Sequence, residues 1–389
     1  MQELLLYCLL PVAAASGWLG ARKHYIAKAT SGEMDSLRRA CRGGMDILLR
    51  DSPDKAVELI SGALSSSADS FSAHMALAAL ARKEGLVEKA IALHQNLLAK
   101  NGLAEVERGQ IRFELGMDFL RAGLFDRAED IFTSLLALPA QREIALAQLL
   151  DIYQQEKDWP KAMECLRGMG GCGRRGESLA QFYCEVALAA WTTTGNAMEA
   201  QAHVAAALEQ AADCVRASLI ATELALASAD YALAYRCLKR VAEQNPVYIS
   251  EIFPYFLAHG ERLSERRELL DYLDWIGAKY NSAEAAMTLA ALISRSEGLD
   301  KAVDYLSATV AARPTLRGLH ALLGLLCEMP VPFPHLFVVR QSLQRFMLSS
   351  PSYHCRQCGF SAEILYWRCP ACRYWETMRL RHDAPCVFE

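Results

Sequence analysis

The stretch "EGLVEKAIALHQNLL", residues 84–98, has echoes at "AGLFDRAEDIFTSLL" (122–136) and "EGLDKAVDYLSATV" (297–310). Each runs from a glycine-bearing turn through charged residues to an alanine, then to large apolar residues. The tail of the same pattern stands at "DSPDKAVELI" (51–60). With that alanine as a marker, the series is Ala56, Ala90, Ala128, Ala162, Ala200, Ala234 and Ala302. The steps are 34, 38, 34, 38, 34 and 68 residues, the last being twice 34.

A step of 34 is the tetratricopeptide period, two antiparallel helices per unit. A diverged unit around residues 261–272 is expected to fill the double step. Within "FELGMDFLRAGLFDRAEDIF", Gly116 on the first helix and Ala128 on the second are small where the helices must approach. Leu115, Phe119, Leu124 and Phe132 are expected to fill the adjacent apolar seam. Pro246 and Pro314, each 12 residues past a marker alanine, should end second helices. The expected fold class is all-α, a superhelix whose concave groove suits protein segments. The apolar stripes then read as core, and the 38-residue steps as longer turns. Residues 330–350 read as a proline-rich turn and a final amphipathic helix.

The termini break the pattern. Residues 4–21, "LLLYCLLPVAAASGWLGA", hold no charge over 18 positions. That is about enough to span a hydrocarbon core of ~30 Å. A signal peptide fits badly, because no Lys or Arg precedes the apolar run, and a buried leader helix is the bland alternative. Arg22, Lys23 and Lys28 follow it, so the positive-inside rule places the rest of the chain in the cytoplasm. The domain expectation is an anchor at 1–22, a repeat array of about eight units at 23–350, and a small module at 351–389.

That module opens with "CRQCGFSAEILYWRCPAC" (355–372). Two residues between thiols let both sulfurs of one tight turn face a common centre, and Gly359 permits the turn's backbone. Two such knuckles make Cys355, Cys358, Cys369 and Cys372 a closed tetrahedral site for one iron or zinc ion. Disulfides are the rival reading, disfavoured by the remaining nine cysteines. Those, among them Cys41, Cys165, Cys184 and Cys237, lie singly in apolar patterns, a usage suited to a reducing compartment. A module this small needs its metal to fold. A closed four-thiolate site leaves no position for substrate water, so hydrolytic chemistry is disfavoured. Phe360, Ile364, Tyr366 and Trp367, between the knuckles on an expected short strand pair, are free to pack on neighbours. Tyr366, Trp367, Tyr374 and Trp375 are expected to lie against the last repeat helices.

Composition removes other classes. Net charge is −4, and residues 353–389 hold five arginines against four acidic residues, so no basic patch points to nucleic acid. "GMGGCGRRG" (168–176) contains the dinucleotide spacing but follows a helical pattern rather than a strand. No His-Glu-x-x-His pair occurs, and no serine sits in a nucleophile elbow. "SSSADS" (65–70) reads as a polar turn.

The order of parts, with "LLPVAAASGWLGAR" at one end and "YHCRQCGFSAEILYWRCPACRYW" at the other, resembles the lipopolysaccharide assembly protein B family of Gram-negative bacteria. "QFYCEVAL" (181–188) also looks similar to a segment of that family. The resemblance covers essentially the whole chain. It implies a non-enzymatic, inner-membrane-anchored cytoplasmic adaptor that promotes proteolysis of the committed-step lipid A deacetylase. The implied partners are a membrane-bound AAA+ metalloprotease, that deacetylase, a lipopolysaccharide-sensing membrane protein and the lipopolysaccharide transport machinery. The family's metal ligands fall on the same four cysteines. The extra cysteines, the 330–334 proline turn and the diverged repeat depart from its pattern. A rubredoxin-like electron-transfer protein and a general scaffold for envelope-assembly enzymes are the alternative functions.

Overall fold

An alanine at one fixed place lets six of the second helices lie close against their partners. Ala90, Ala128, Ala162, Ala200, Ala234 and Ala302 are each the fourth residue of a helix. All six are fully buried. The computed structural model describes residues 71–170, 175–280, 282–329, 334–348 and 351–380, with Lys55 and Val57. The expected anchor at 1–22, the marker Ala56, Cys41 and the turn at 65–70 lie outside the described residues, as does most of the proline turn. Among the described residues no helix is long and apolar enough to cross a membrane.

The chain divides into two units, 1–171 and 172–389. In the first, α1 (Phe71–Lys83) pairs with α2 (Val87–Leu98), α3 (Glu105–Arg121) with α4 (Phe125–Leu135), and α5 (Pro139–Glu156) with α6 (Trp159–Gly168). The second begins with α7 (Arg175–Ala189), a π-helical turn (Ala190–Thr194) and α8 (Ala197–Gln210). Then come α9 (Val215–Ala227) with α10 (Tyr231–Gln244), and a 3₁₀ turn (Pro246–Ile252) leading into α11 (Phe253–Leu263) with α12 (Arg266–Tyr280). α13 (Ala283–Glu297) with α14 (Leu299–Ala312) and α15 (Leu316–Glu328) with α16 (Pro334–Leu348) complete the helices. α10 and α14 stop just before Pro246 and Pro314, which lack the N–H that a continuing helix needs.

Helix starts are written in side chains. Asp158, Asn196 and Asp230 each accept a hydrogen bond from the backbone N–H three residues on. Packing then follows size. At Gly116 an added Cβ would come within 2.7 Å of the buried Phe132 ring, so only glycine lets α3 and α4 approach this closely. Leu115, Phe119 and Phe132 are buried as expected, but Leu124 is not. It precedes the first residue of α4 and turns outward, 41% exposed.

The diverged unit is the α11–α12 hairpin. Its fourth second-helix residue is Leu269 rather than alanine, and it is just as buried. The space comes from α11, where a Cβ at Gly260 would meet Leu269 Cδ2 at 2.9 Å. The large and small residues have exchanged helices, which is why an alanine marker misses the repeat. Nearby, Tyr235, Phe256 and Tyr272 pack edge to face at 6.0–6.3 Å.

After α16 the chain forms a small antiparallel sheet, β1 (Tyr353–Cys355), β2 (Ser361–Ala362) and β3 (Met378–Leu380), in the order β2-β1-β3. The stretch between the knuckles supplies only the two residues of β2, not a strand pair.

Candidate metal centre

Both knuckles have the same backbone. In the first, Gly359 N–H donates to Cys355 C=O at 2.9 Å, and Cys355 N–H to Phe360 C=O at 2.7 Å. In the second, Arg373 N–H donates to Cys369 C=O and Cys369 N–H to Tyr374 C=O, both at 2.9 Å. Each loop needs a left-handed residue four positions after its first cysteine. Gly359 fills that place at φ +78°, and Arg373 holds the same conformation at φ +61° against the Cβ penalty. Glycine marks the first knuckle in the sequence, and nothing marks the second.

The loops bring all four predicted sulfurs within 4.8 Å of one another. Cys355 and Cys372 stand 3.7 Å apart, as do Cys358 and Cys369. Metal–sulfur bonds of about 2.3 Å give tetrahedral edges of roughly 3.8 Å, so the donor set suits one ion. Zinc and iron satisfy it equally. Cys355 and Cys369 are buried, while Cys358 is exposed.

Thiolate character is already prepared. Burial pushes the Cys355 thiol up, but the Thr377 hydroxyl at 3.2 Å and the backbone N–H groups of Cys358 and Gln357 outweigh it and hold it near 6. At Cys372 the Tyr374 N–H pulls the thiol down, but burial and the three neighbouring sulfurs push it up more. Bringing together four sulfurs that cannot all ionise alone is what a cation relieves. Thr377 carries no signal in the spacing, since it stands one residue before β3, outside the motif.

Among the described residues, the hydrogen bonds and ring contacts that hold the ribbon run to the first helices of earlier hairpins and the turn beside them, where the sequence reading expects the last repeat helices. The Gln181 amide on α7 donates to Glu376 Oε1 at 2.7 Å. Tyr248, in the 3₁₀ turn, donates to the Glu376 carbonyl and accepts from Arg379. Tyr353 donates to Glu251 at 2.7 Å. Trp375 meets Phe182 edge to face at 6.1 Å with Arg216 over its ring, and Trp367 lies 5.2 Å from Tyr248. The reason is shape and chemistry together: α7, α9 and the 3₁₀ turn present aromatic rings beside polar hooks. Tyr366, Tyr374 and Ile364 stay exposed, whereas Phe360 joins the ribbon's own core.

The docking surface carries buried charge. Burial raises the Glu376 carboxyl, Glu177 and Asp213 raise it further, and Arg379 and Gln181 only partly offset them. Burial likewise raises Glu251, against the Tyr353 hydroxyl. Sequence reasoning missed Gln181, Arg216, Tyr248, Glu251 and Glu376. The single available signal was "QFYCEVAL", which contains Gln181, Phe182 and Cys184. Cys184 and Cys214, read as isolated apolar positions, in fact meet with sulfurs 3.9 Å apart.

Residues 353–379 match the rubredoxin metal binding domain family. Lipopolysaccharide assembly protein B of Escherichia coli (strain K12) is 33% identical over 385 residues, covering 96% of this chain and 97% of that protein. The protein of the same name from Haemophilus influenzae is 30% identical, covering 96% and 97%. Among solved structures, the C-terminal part of a TPR repeat-containing protein from Cytophaga hutchinsonii is 13% identical with a TM-score of 0.36, covering 68% of this chain and 98% of that one. With a third of its residues shared across nearly the whole length of both proteins, the chain belongs to the lipopolysaccharide assembly protein B family.

Proposed function

We propose that this chain acts in lipopolysaccharide assembly as a non-catalytic adaptor. One observation carries the reading: the similarity to relatives bearing that function in their names runs through 96% of the chain, repeats and ribbon alike. The architecture supports it. Helical hairpins offer surfaces for protein segments rather than a reaction centre. Cys355, Cys358, Cys369 and Cys372 would hold zinc or iron in a closed four-sulfur site, where the ion supplies folding energy to the ribbon. Gln181, Tyr248 and Glu251 then hold that ribbon in place.

The finer reading is that the chain promotes proteolysis of the committed-step lipid A deacetylase. It would be moored in the inner membrane through residues 1–22 with its bulk in the cytoplasm. Tethering raises the effective concentration of adaptor, protease and substrate at one surface. A membrane-bound AAA+ metalloprotease, the deacetylase, a lipopolysaccharide-sensing membrane protein and the transport machinery are the proposed partners. The test is a Gram-negative cell depleted of its own family member and supplied with this chain at native level. Restored deacetylase turnover is expected, lost on removing residues 1–22 or on the double change Cys355→Ser, Cys358→Ser. Deacetylase half-life that stays long with the unaltered chain overturns the proteolytic role.

A further inference from the structure

Where the ribbon meets the helices it leaves an open cleft of about 460 Å³, within the ~300–1,000 Å³ range of ligand sites. Its apolar lining includes Leu219 and Ile220 from α9 and Leu365 of the ribbon. Ile364, 59% exposed, stands at the edge. Three carboxylates line the same cleft, Glu223 on α9, Glu251 in the 3₁₀ turn and Glu363 on the ribbon. The charge is not met from within. Among the described residues, Glu223 and Glu251 accept only the neutral hydroxyls of Tyr255 and Tyr353. Arg216, the one cation in the lining, is spent on Glu185 at 2.8 Å and on the Trp375 ring.

We propose that this cleft is a docking site for a short segment of a partner protein that presents a lysine or arginine beside an aliphatic side chain. The aliphatic group covers Leu219, Leu365 and Ile364, and the cation settles among the three carboxylates. Phosphate-bearing ligands are repelled by the same charges. A metal ion is no better match, because among the described residues only the four cysteines converge closely enough to hold one. The site exists only while the ribbon is folded and docked, so metal loading governs it. Burial raises the Glu251 carboxyl against the Tyr353 hydroxyl, and an incoming cation would lower it.

The experiment uses the metal-loaded full chain and three amidated nine-residue peptides in a Gly/Ser frame, followed by fluorescence anisotropy. One carries Leu-Lys-Leu-Arg, the second Leu-Gln-Leu-Gln, the third Ser-Lys-Ser-Arg. The first should bind at least about tenfold more tightly than either control. Hydrogen exchange should slow on α9, the 3₁₀ turn and residues 361–367. The triple change Glu223→Gln, Glu251→Gln, Glu363→Gln keeps every acceptor oxygen for Tyr255 and Tyr353, and should weaken binding by about tenfold or more. Ile364→Ser, at an exposed side chain, should weaken it without touching charge. Equal binding of the lysine and glutamine peptides, indifference to the triple change, protection elsewhere, or no binding at millimolar peptide each overturns the proposal. None of these outcomes alters the deacetylase half-life test, so the two readings fail separately.

Discussion

A fully buried carboxylate and a half-buried one organise two regions of this chain, and they are held in opposite ways. Asp118 on α3 has no exposed surface and takes Arg82 of α1 at 2.8 Å and His94 of α2 at 2.5 Å. Arg82 also grips Glu114 at 2.6 Å. Glu376 in the ribbon is held mainly by a neutral amide, Gln181, 195 residues away. The first cluster joins neighbouring hairpins through partners 24 and 36 residues off, so the repeat itself delivers them. The second requires the chain to travel through five hairpins and come back. A buried ion pair is fragile when one partner is removed. A half-buried acid beside an amide tolerates becoming neutral.

The largest effect should come from the ribbon's foundation. Cys369→Ser is expected to take bound metal from one ion per chain to none, read by elemental analysis. The docking at Glu376 should fail with it, because metal binding worth roughly 10–16 kcal/mol is the folding energy of such modules. Residues 353–380 then become the first site of protease cleavage. An unchanged metal content would remove the ion from the account of the ribbon.

Next comes Asp118→Ala, which leaves the buried His94 without its carboxylate partner and Arg82 with Glu114 alone. A loss of about 3–5 kcal/mol is expected in denaturant unfolding of the first unit. Exchange on α1–α3 should rise while the ribbon stays protected. Ribbon protection falling in parallel would show that the two clusters are not independent.

A smaller contrast separates two glycines. Gly116→Ala drives a Cβ against the buried Phe132 ring, a rigid neighbour, and should cost about 1–3 kcal/mol. Gly260→Ala crowds the end of Leu269, which can rotate, and makes ordinary contact with Leu292. The gain of about 1 kcal/mol in helix propensity should nearly cancel that cost. Thermal unfolding of the two variants checks the order.

The smallest effect is a pH slope. The Glu376 carboxyl is raised above its ordinary 4.5 by burial and by Glu177 and Asp213. Its contribution to docking is therefore complete below that ordinary value and is lost as pH rises through the lifted one. In metal-loaded protein, ribbon protection should weaken from mildly acidic to alkaline pH. Glu376→Gln keeps the Gln181 contact and should flatten the slope, with docking as firm or firmer at pH 8. A slope that survives the substitution assigns it to another group.

Much of this was readable in order along the chain. The 34-residue step placed the second helices because their fourth residue must be small, and the cysteine spacing named the ribbon's sulfurs. The hairpin at α11–α12 escaped because Gly260 and Leu269 exchange roles across the pair, leaving the volume sum intact and the marker absent. Arg373 escaped because its left-handed backbone is imposed by the knuckle's hydrogen bonds, not by its own preference. Leu124 was misplaced because its side chain at the start of α4 is 41% exposed, whereas Leu86 at the same place before α2 packs against the core of its hairpin.

Local periodicity and ligand spacing are properties of near neighbours, and the one-dimensional order of residues determined both. The seat of the ribbon is different. Trp375 and Glu376 meet Phe182 and Gln181 only after every intervening hairpin has packed, since the curvature of the stack decides which first helices the returning chain can reach. The same packing decides which carboxylates are left facing an open cleft. That choice belongs to the tertiary structure, because contacts so far apart in sequence leave no period behind to be read.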